Sequence, residues 1–489
     1  MKSQIVEFYT GKTVFVTGAT GFMGKVLLEK LIRSVPDIKK IYILLRPKKG
    51  YNPELRVKQL AESPIFTFNN LNAKVKEKIE AICGDITKEG FDMSINDREK
   101  LIDEVSVVFH FAASVRMDLS LKEAVITNTK STYELFKFCM NLKNLQSVVH
   151  LSTAYCNVEI ENMEEKVYPI DVDPYKIVDM VEWMDEKCLN AITKRLLGPH
   201  PNTYTFTKRL AEIIAVDMGD KLPLIITRPS IVVPSLSEPT PGWVDNFYGP
   251  IGIFLAGGIG ILKSCLLDGE AIPEVIPVDF AINSVICCGY ERAKTNYLTT
   301  PTINITNRFP YTWRYILDSF LEVTYKEPFK HSLWYCEVYL TKSYFVFMIA
   351  SFFFQLIPAL LVDFLLIMFL QKPFLISIQK RLILSFEIVR HFTVRKWTFD
   401  NSNCIKLEEK LDKADKEIFY GIITKDADLK KYAVESYRTA KKYLVKDDGK
   451  NIELYRFRDT IFYFLNLFVK FYLLYMVLKG CYVCLSYWF

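Results

Sequence analysis

Three glycines set between an apolar strand and an apolar-periodic helix constrain this chain more than any other feature. The run "TVFV" leads into "TGATGFMGK", residues 17–25, and "VLLEKLI" follows directly. Glycine tolerates positive φ at a sharp turn and leaves bare backbone against which a ligand can press. The spacing Gly18-x-x-Gly21-x-x-Gly24 is one residue wider at its first gap than the dinucleotide fingerprint but has the same parts. Gly18 makes the turn, Gly21 admits a pyrophosphate, and Gly24 packs helix on strand. Thr17, Thr20 and Phe22 are the expected contact residues around them, and the first-turn N–H groups face the anion with the helix dipole behind them. A plain strand-loop-helix turn is the competing reading. The position at the amino-terminal end, after a β-branched strand and before an amphipathic helix, favours the nucleotide.

The second strand addresses which nucleotide. "KKIYILLRPKKG" ends its apolar run at Arg46, 22 positions after Gly24, and carries Lys48 and Lys49 beyond it. An acidic residue at that distance holds a ribose 2′-hydroxyl, whereas an arginine accommodates a 2′-phosphate. The expected cofactor is therefore NADPH. Strands and helices then alternate as in a parallel sheet: "CGDIT" brings Asp85 and Ile86 after a third strand, and "EVSVVFHFAAS" ends in Ala112 and Ala113, small residues beside which a cofactor can lie.

A fifth strand, "NLQSVVHLSTAYCN", ends in Ser152, Thr153 and Tyr155, hydroxyls at the carboxyl strand end where open α/β sheets place their chemistry. A helix cap explains any one of them equally well. "PNTYTFTKRLAE" changes the balance, because Tyr204 and Lys208 are four apart and share one helix face. A tyrosine of pKa ~10 is a poor acid or base near neutrality unless a neighbouring cation favours phenolate. With a dinucleotide loop upstream, Thr153, Tyr204 and Lys208 read as carbonyl polariser, proton donor and ribose anchor.

These stretches, with "RPSIV", "EPTPGWVDNFYGPIG", "VIPVDFAINSVI" and "NITN", make the chain resemble the extended short-chain dehydrogenase/reductases, and within them the fatty acyl-CoA reductases. The resemblance spans roughly residues 10–310, and the linked set is far more specific than any one member. It implies a Rossmann-like doubly wound parallel sheet. "LIPALLVDFLL" and "FTVRKWTFDNSN" are similar to the family's helical carboxyl-terminal domain. The implied reaction is reduction of a long-chain acyl-CoA by two NADPH to a primary alcohol through a bound aldehyde. The chain departs from the family in "NTKST", which keeps Asn128 and Thr132 but has Ser131 where the family has glycine, and in "IFYGIITKDADLKKY". The first departure bears on a water-relay role for Asn128; the second bears on the small domain. Another extended reductase, acting on a sterol or sugar nucleotide, would share the glycines and the Tyr-Lys pair but not "PGWVDNFYGP" or "WTFDN". A non-catalytic lipid-binding protein would not need Tyr204, Lys208 and all three glycines intact.

Composition bounds the rest. The chain has 489 residues, 50% of them hydrophobic, and a net charge of +6. Nothing in it interleaves basic and aromatic residues as nucleic-acid binders do. Eleven cysteines at irregular spacing suggest neither zinc nor a disulfide framework, so no metal is expected, and the lone "CYVC" near the end reads as packing or lipid-facing. No apolar h-region is read before the first strand, so no signal peptide is expected. The apolar excess lies in residues 344–370 and in the tail from Ile461. Either is long enough to span a bilayer, for which ~20 apolar residues suffice. The first holds Gln355, Pro358 and Asp363, so a buried core helix, a membrane-dipping surface and a true span all fit. The second holds Lys470 and Lys479; a central lysine at ~+3 kcal/mol roughly offsets six leucine-like residues at about −0.5 each, and more than six surround it. The expected organisation is a catalytic domain over 1–325, a helical domain over 326–450 and a membrane-anchoring tail over 451–489. The lipid boundary is expected near Asp459, on the cytosolic face of the endoplasmic reticulum or, second, of the peroxisome. Acyl-CoA and membrane lipid are the expected partners; a homodimer is one of the oligomeric states left open.

Overall fold

The computed structural model describes residues 2–46, 52–295, 297, 299–306, 311–421 and 428–486. Lys48, Lys49 and the side chains of Cys481 and Cys484 lie outside the described residues.

Seven strands form one parallel sheet: β1 Thr13–Thr17, β2 Lys40–Leu45, β3 Ile79–Cys83, β4 Val107–His110, β5 Ser147–Leu151, β6 Leu224–Pro229 and β7 Thr302–Ile305, in the order β7-β6-β5-β4-β1-β2-β3. Every residue of β1, β4 and β6 is buried, as a sheet with helices on both faces requires. One face is closed by the helices Ser131–Cys139 and Thr203–Asp217 over a core that includes Phe15, Val108, Phe136, Val148 and Ile214. Winding reverses between β1 and β4, the switch point outside whose carboxyl ends such sheets bind ligands.

The chain divides into two compact units that interleave in sequence. The first comprises 1–243, 273–310 and 396–427; the second comprises 244–272, 311–395 and 428–489. This differs from the linear boundaries expected at 325 and 450. The segment "WTFDN", expected in the helical domain, instead belongs to the sheet unit: Thr398–Phe399 pairs in parallel with Asn162–Met163, and the Asn304 amide donates to the carbonyls of Asp400 at 2.8 Å and Met163 at 3.2 Å. In the second unit a short parallel pair, Ser264–Leu266 with Tyr339–Thr341, is surrounded by helices. Its centre is aromatic: Tyr437 is fully buried with its ring 5.1 Å from Phe320 and 4.9 Å from Phe329.

Among the described residues, two helices in this unit are long and apolar enough to cross a membrane, Tyr344–Met368 with mean hydropathy 2.4 and Ile452–Gly480 with 1.9. The second does not leave the protein at Asp459. Asn466 and Lys470 are still held by it, Asn466 accepting from the Trp334 indole at 3.0 Å and Lys470 pairing with Glu337 at 2.7 Å. The first turns of this helix thus run along its own unit past Asp459, and the lysine weighed as a cost to insertion has a carboxylate partner.

Candidate active site

The loop after β1 has the geometry its glycines suggest. Gly18 takes φ +74°, and a Cβ there would stand 2.6 Å from the Ala112 nitrogen and the Phe111 carbonyl carbon, so only glycine lets the end of β1 close on the end of β4. A Cβ on Gly24 would run into the Gly18 carbonyl oxygen and lie 2.8 Å from the Ala19 backbone, the close helix–strand packing assigned to the third glycine. Gly21 is the N-cap of the helix Phe22–Ser34, and no side chain caps its first turn. Thr20 and Gly21 are exposed and Phe22 partly so. Uncapped N–H groups at an open, glycine-lined helix end fit a pyrophosphate.

Thr17 is placed differently. Its hydroxyl is fully buried, 2.7 Å from His110 Nδ1, and accepts from the Ala112 N–H at 3.3 Å, while His110 Nε2 lies 2.9 Å from the Thr132 hydroxyl. Thr17 therefore ties β1 to β4 beneath the loop. Burial, and secondarily the Lys208 ammonium, push His110 down to about 3, and the same two causes push its neighbour His150 well below its ordinary value. Both rings are neutral, 5.3 Å apart. Their signal was legible as a histidine at the same register of β4 and β5, though nothing local marks either as part of this network.

Arg46 and Asp85 come together at the ends of β2 and β3, with Arg46 Nε 3.3 Å from Asp85 Oδ1. Asp85 also accepts from the N–H and hydroxyl of Thr87 at 3.0 and 2.8 Å. Ile86 beside it is buried, and Ala112 is partly open.

Across the switch point, Thr153 stands just beyond β5, and its hydroxyl lies near enough to the phenol of Tyr204, on the helix Thr203–Asp217, to favour the phenolate. Burial pushes Tyr204 up to about 12 against the pull of that hydroxyl, so it holds its proton across the physiological range. Lys208, one turn along, is buried and donates to the Leu151 carbonyl at 2.6 Å. Burial lowers it to about 8, opposed by the carboxylate of Glu212 one turn further. The tuning cation expected beside the phenol is thus directed at the strand end in this structure. Ser152, the alternative hydroxyl, is buried with its Oγ unpartnered.

One support, Glu212, was not foreseen. Glu212 forms a bidentate pair with Arg228, Nε to Oε1 at 2.8 Å and Nη2 to Oε2 at 2.6 Å, with both side chains fully buried. The remaining guanidinium donors reach the Glu164 and Lys166 carbonyls, which offsets the desolvation that makes such pairs costly. Tyr204, Lys208 and Glu212 recur every fourth residue, so this extension was readable in "YTFTKRLAE". Asn128 lies in a π-helical turn, Val125–Lys130, a feature common at functional sites. It binds Ser114 in both directions and donates to the Thr207 hydroxyl at 3.1 Å. Ser131, where the resembling family has glycine, turns its hydroxyl back to the Thr127 carbonyl and leaves Asn128 in place. Among the described residues, no group of three or more His, Cys, Asp or Glu side chains could hold a metal ion.

Comparison with known proteins agrees with this geometry. Residues 16–285 match an NAD-binding family described as male sterility protein, and residues 354–447 match a second family of the same description. "Fatty acyl-CoA reductase 1" of Xenopus laevis is 38% identical over 420 residues, 85% of this chain and 81% of that protein. "Fatty acyl-CoA reductase wat" of Drosophila melanogaster is 33% identical over 454 residues, 92% of this chain and 87% of that protein. Among solved structures, the terminal R domain from the myxalamid PKS-NRPS biosynthetic pathway superposes with a TM-score of 0.59 at 16% identity, covering 90% of this chain and 93% of that one. The reductase domain of a nonribosomal peptide synthetase from Mycobacterium tuberculosis gives 0.57 at 14%, covering 91% and 96%. A nicotinamide-binding sheet, a Tyr-Lys helix face at its switch point and relatives at this identity over most of their length lead to one conclusion: the chain is an oxidoreductase and belongs to the fatty acyl-CoA reductase family.

Proposed function

We propose that the chain reduces a long-chain fatty acyl-CoA to a primary alcohol with NADPH, holding the aldehyde between two reductions. The observation that supports this reading best is the neighbouring pair Thr153 and Tyr204, with the buried Lys208 one helical turn along, at the carboxyl end of β5. The loop residues Gly18, Thr20, Gly21, Phe22 and Gly24 hold the pyrophosphate in this reading. Asp85, Ile86 and Ala112 line the nucleotide, Thr17 supports the loop from below, and Arg46 meets the 2′-phosphate. Bound there, NADPH supplies the hydride.

The chain's own contribution is acid catalysis and charge stabilisation. The hydroxyls of Tyr204 and Thr153 converge on the thioester oxygen as negative charge develops, a preorganised pair of donors. Tyr204 gives its proton to that oxygen, leaving a hemithioacetal, which breaks its carbon–sulfur bond to release CoA thiol and aldehyde. Once the phenolate has taken a proton back from solvent and the spent cofactor has been exchanged for a second NADPH, a second proton transfer from Tyr204 completes the alcohol. Such positioned acids are worth ~10²–10⁴-fold. Lys208 anchors the ribose and, as an ammonium, stabilises the phenolate left behind.

The exposed apolar tail supports a membrane-held enzyme that meets acyl chains at the lipid surface, on the endoplasmic reticulum first and the peroxisome second. Incubating the purified full chain with NADPH and an acyl-CoA length series, then separating aldehydes from alcohols, tests the reading. Accumulation of free aldehyde without alcohol overturns the second reduction, and turnover of sterols but not acyl-CoA overturns the substrate class.

A further inference from the structure

We infer that residues 344–370 form a second membrane contact that lies flat in the lipid interface rather than crossing it. This rests on the reading of the tail as a membrane anchor and adds a distinct surface to it.

The segment is one long helix, Tyr344–Ser351, a π-helical turn Phe352–Leu356 and Ile357–Met368. Its buried residues are Phe347, Ser351, Gln355, Ala359 and Asp363, every fourth position. A four-residue stripe drifts around a 3.6-residue helix; the wider π turn in the middle takes up part of the drift and keeps the stripe on one side. Each polar member of the stripe that sequence reading set against insertion satisfies backbone of the same unit. Gln355 Oε1 accepts from the N–H of Lys263 at 2.8 Å and of Ser264 at 3.3 Å. Asp363 accepts from Phe374, Leu375 and Ile376 at 3.0, 3.0 and 2.9 Å, capping the helix Leu375–Thr393. Phe347 packs on Phe386 of that helix, ring centroids 5.5 Å apart.

One side of the segment is therefore fastened to protein along its whole length. A helix surrounded by lipid would lose five of these backbone hydrogen bonds, or would draw Lys380, Arg381, Glu387 and Arg390 of the attached helix into hydrocarbon. The rest of the segment's surface is apolar and open: Phe345, Phe352, Leu361 and Phe364 are all exposed, as is Leu370 just past the helix end at 95%. Exposed basic residues Lys372, Lys380 and Arg381 follow immediately. An apolar face bordered by lysine and arginine is the pattern of an element lying in the headgroup region of an anionic leaflet.

The neighbouring chain points to lipid as the occupant. Lys263, whose N–H holds Gln355, extends its ammonium to the Tyr335 carbonyl, and Tyr335 packs on Tyr463 of the tail helix at 5.2 Å. Lys470 is fixed close by on Glu337, so the apolar tail departs from the same small framework that carries the open face.

A fluorescent amino acid placed at Ile349, Leu361 or Leu365, all exposed, tests this in the full chain. Each variant is reconstituted in phosphatidylcholine/phosphatidylserine vesicles, with a nitroxide near the headgroup or near the acyl-chain end, and checked for cooperative thermal unfolding. A flat element loses emission equally at all three positions, and more to the shallow nitroxide. A span separates Ile349 and Leu365 by about 24 Å in depth, so a deep-quenched position between shallow ones overturns the proposal, as does absence of quenching. The same fluorophore at Val477 reports the tail separately. Unquenched Val477 with quenched Leu361 removes the anchor reading and leaves this surface; the reverse removes the surface alone. Leu361→Glu with Leu365→Glu is expected to abolish quenching at Ile349; quenching that persists also counts against the proposal.

Discussion

Arg46 Nε and Asp85 Oδ1 stand 3.3 Å apart at the ends of adjacent strands, so the arginine assigned to the cofactor's 2′-phosphate already has an anionic partner. In the proposed role, binding of NADPH would exchange one anion for another. Because Arg46 is more than half exposed, the gain lies at the low end of the ~1.5–3 kcal/mol of a charged hydrogen bond. Arg46→Ala is expected to raise KM for NADPH by about tenfold, which corresponds to ~1.4 kcal/mol, and to narrow the NADPH/NADH preference. Asp85→Asn is expected to widen it. Steady-state kinetics with both cofactors measure the ratio, and an unmoved ratio in Arg46→Ala excludes this role.

Removing the Tyr204 hydroxyl takes away the proposed proton donor. Tyr204→Phe should lower kcat by about 10² or more while NADPH affinity, read by fluorescence titration, changes little. Thr153→Val should cost less, since one donor remains.

Lys208 titrates at about 8 in the folded protein against 10.5 as a free side chain. Activity that needs the ammonium should fall as pH rises through about 8. Stability should move the other way: between about 8 and 10.5 the unfolded chain holds this proton more tightly, so its contribution to stability grows with pH by up to about 1.4 kcal/mol per unit. Comparing denaturant midpoints of the wild type and Lys208→Met across this range isolates the slope, and Lys208→Met should abolish it.

Acid should act through the histidine pair. His110 binds its proton only near pH 3, while the unfolded residue does so near 6.5, so native stability is fully present above 6.5 and declines below it. The expected slope is about 1.4 kcal/mol per unit for each histidine that stays neutral. His150→Phe should flatten the acid limb of a thermal-shift profile; an unchanged limb would show that His150 does not carry that slope.

Where the tail is cut should matter. Ending the chain after Lys470 keeps the Asn466–Trp334 and Lys470–Glu337 contacts and removes the apolar remainder, so the product should unfold cooperatively and be released from membranes more readily than the full chain. Ending it after Arg458 also uncovers Trp334 and Tyr335, which pack on Phe462 and Tyr463, and should lower the unfolding midpoint. Sedimentation after carbonate washing and thermal unfolding distinguish the two. Equal midpoints would mean that these turns contribute nothing.

What the sequence determined by itself is what short-range periodicity carries. A strand, three glycines and a helix are contiguous, and Tyr204, Lys208 and Glu212 share a face because α-helical geometry repeats every 3.6 residues. The nucleotide loop, the parallel sheet and the tyrosine–lysine face were legible without knowledge of any distant contact. Tertiary structure decided the features whose partners are remote. Lys470 looked like a charge opposed to lipid until Glu337, 133 residues away, supplied its counter-ion. Gln355 and Asp363 looked like interruptions of a span until Lys263, 92 residues earlier, and the Phe374–Ile376 backbone were found to use them. "WTFDN" joined the sheet unit because residues 162–163 offered it a strand edge. A polar side chain within an apolar run has opposite meanings depending on whether a buried donor waits for it, and only the folded chain brings that donor into reach.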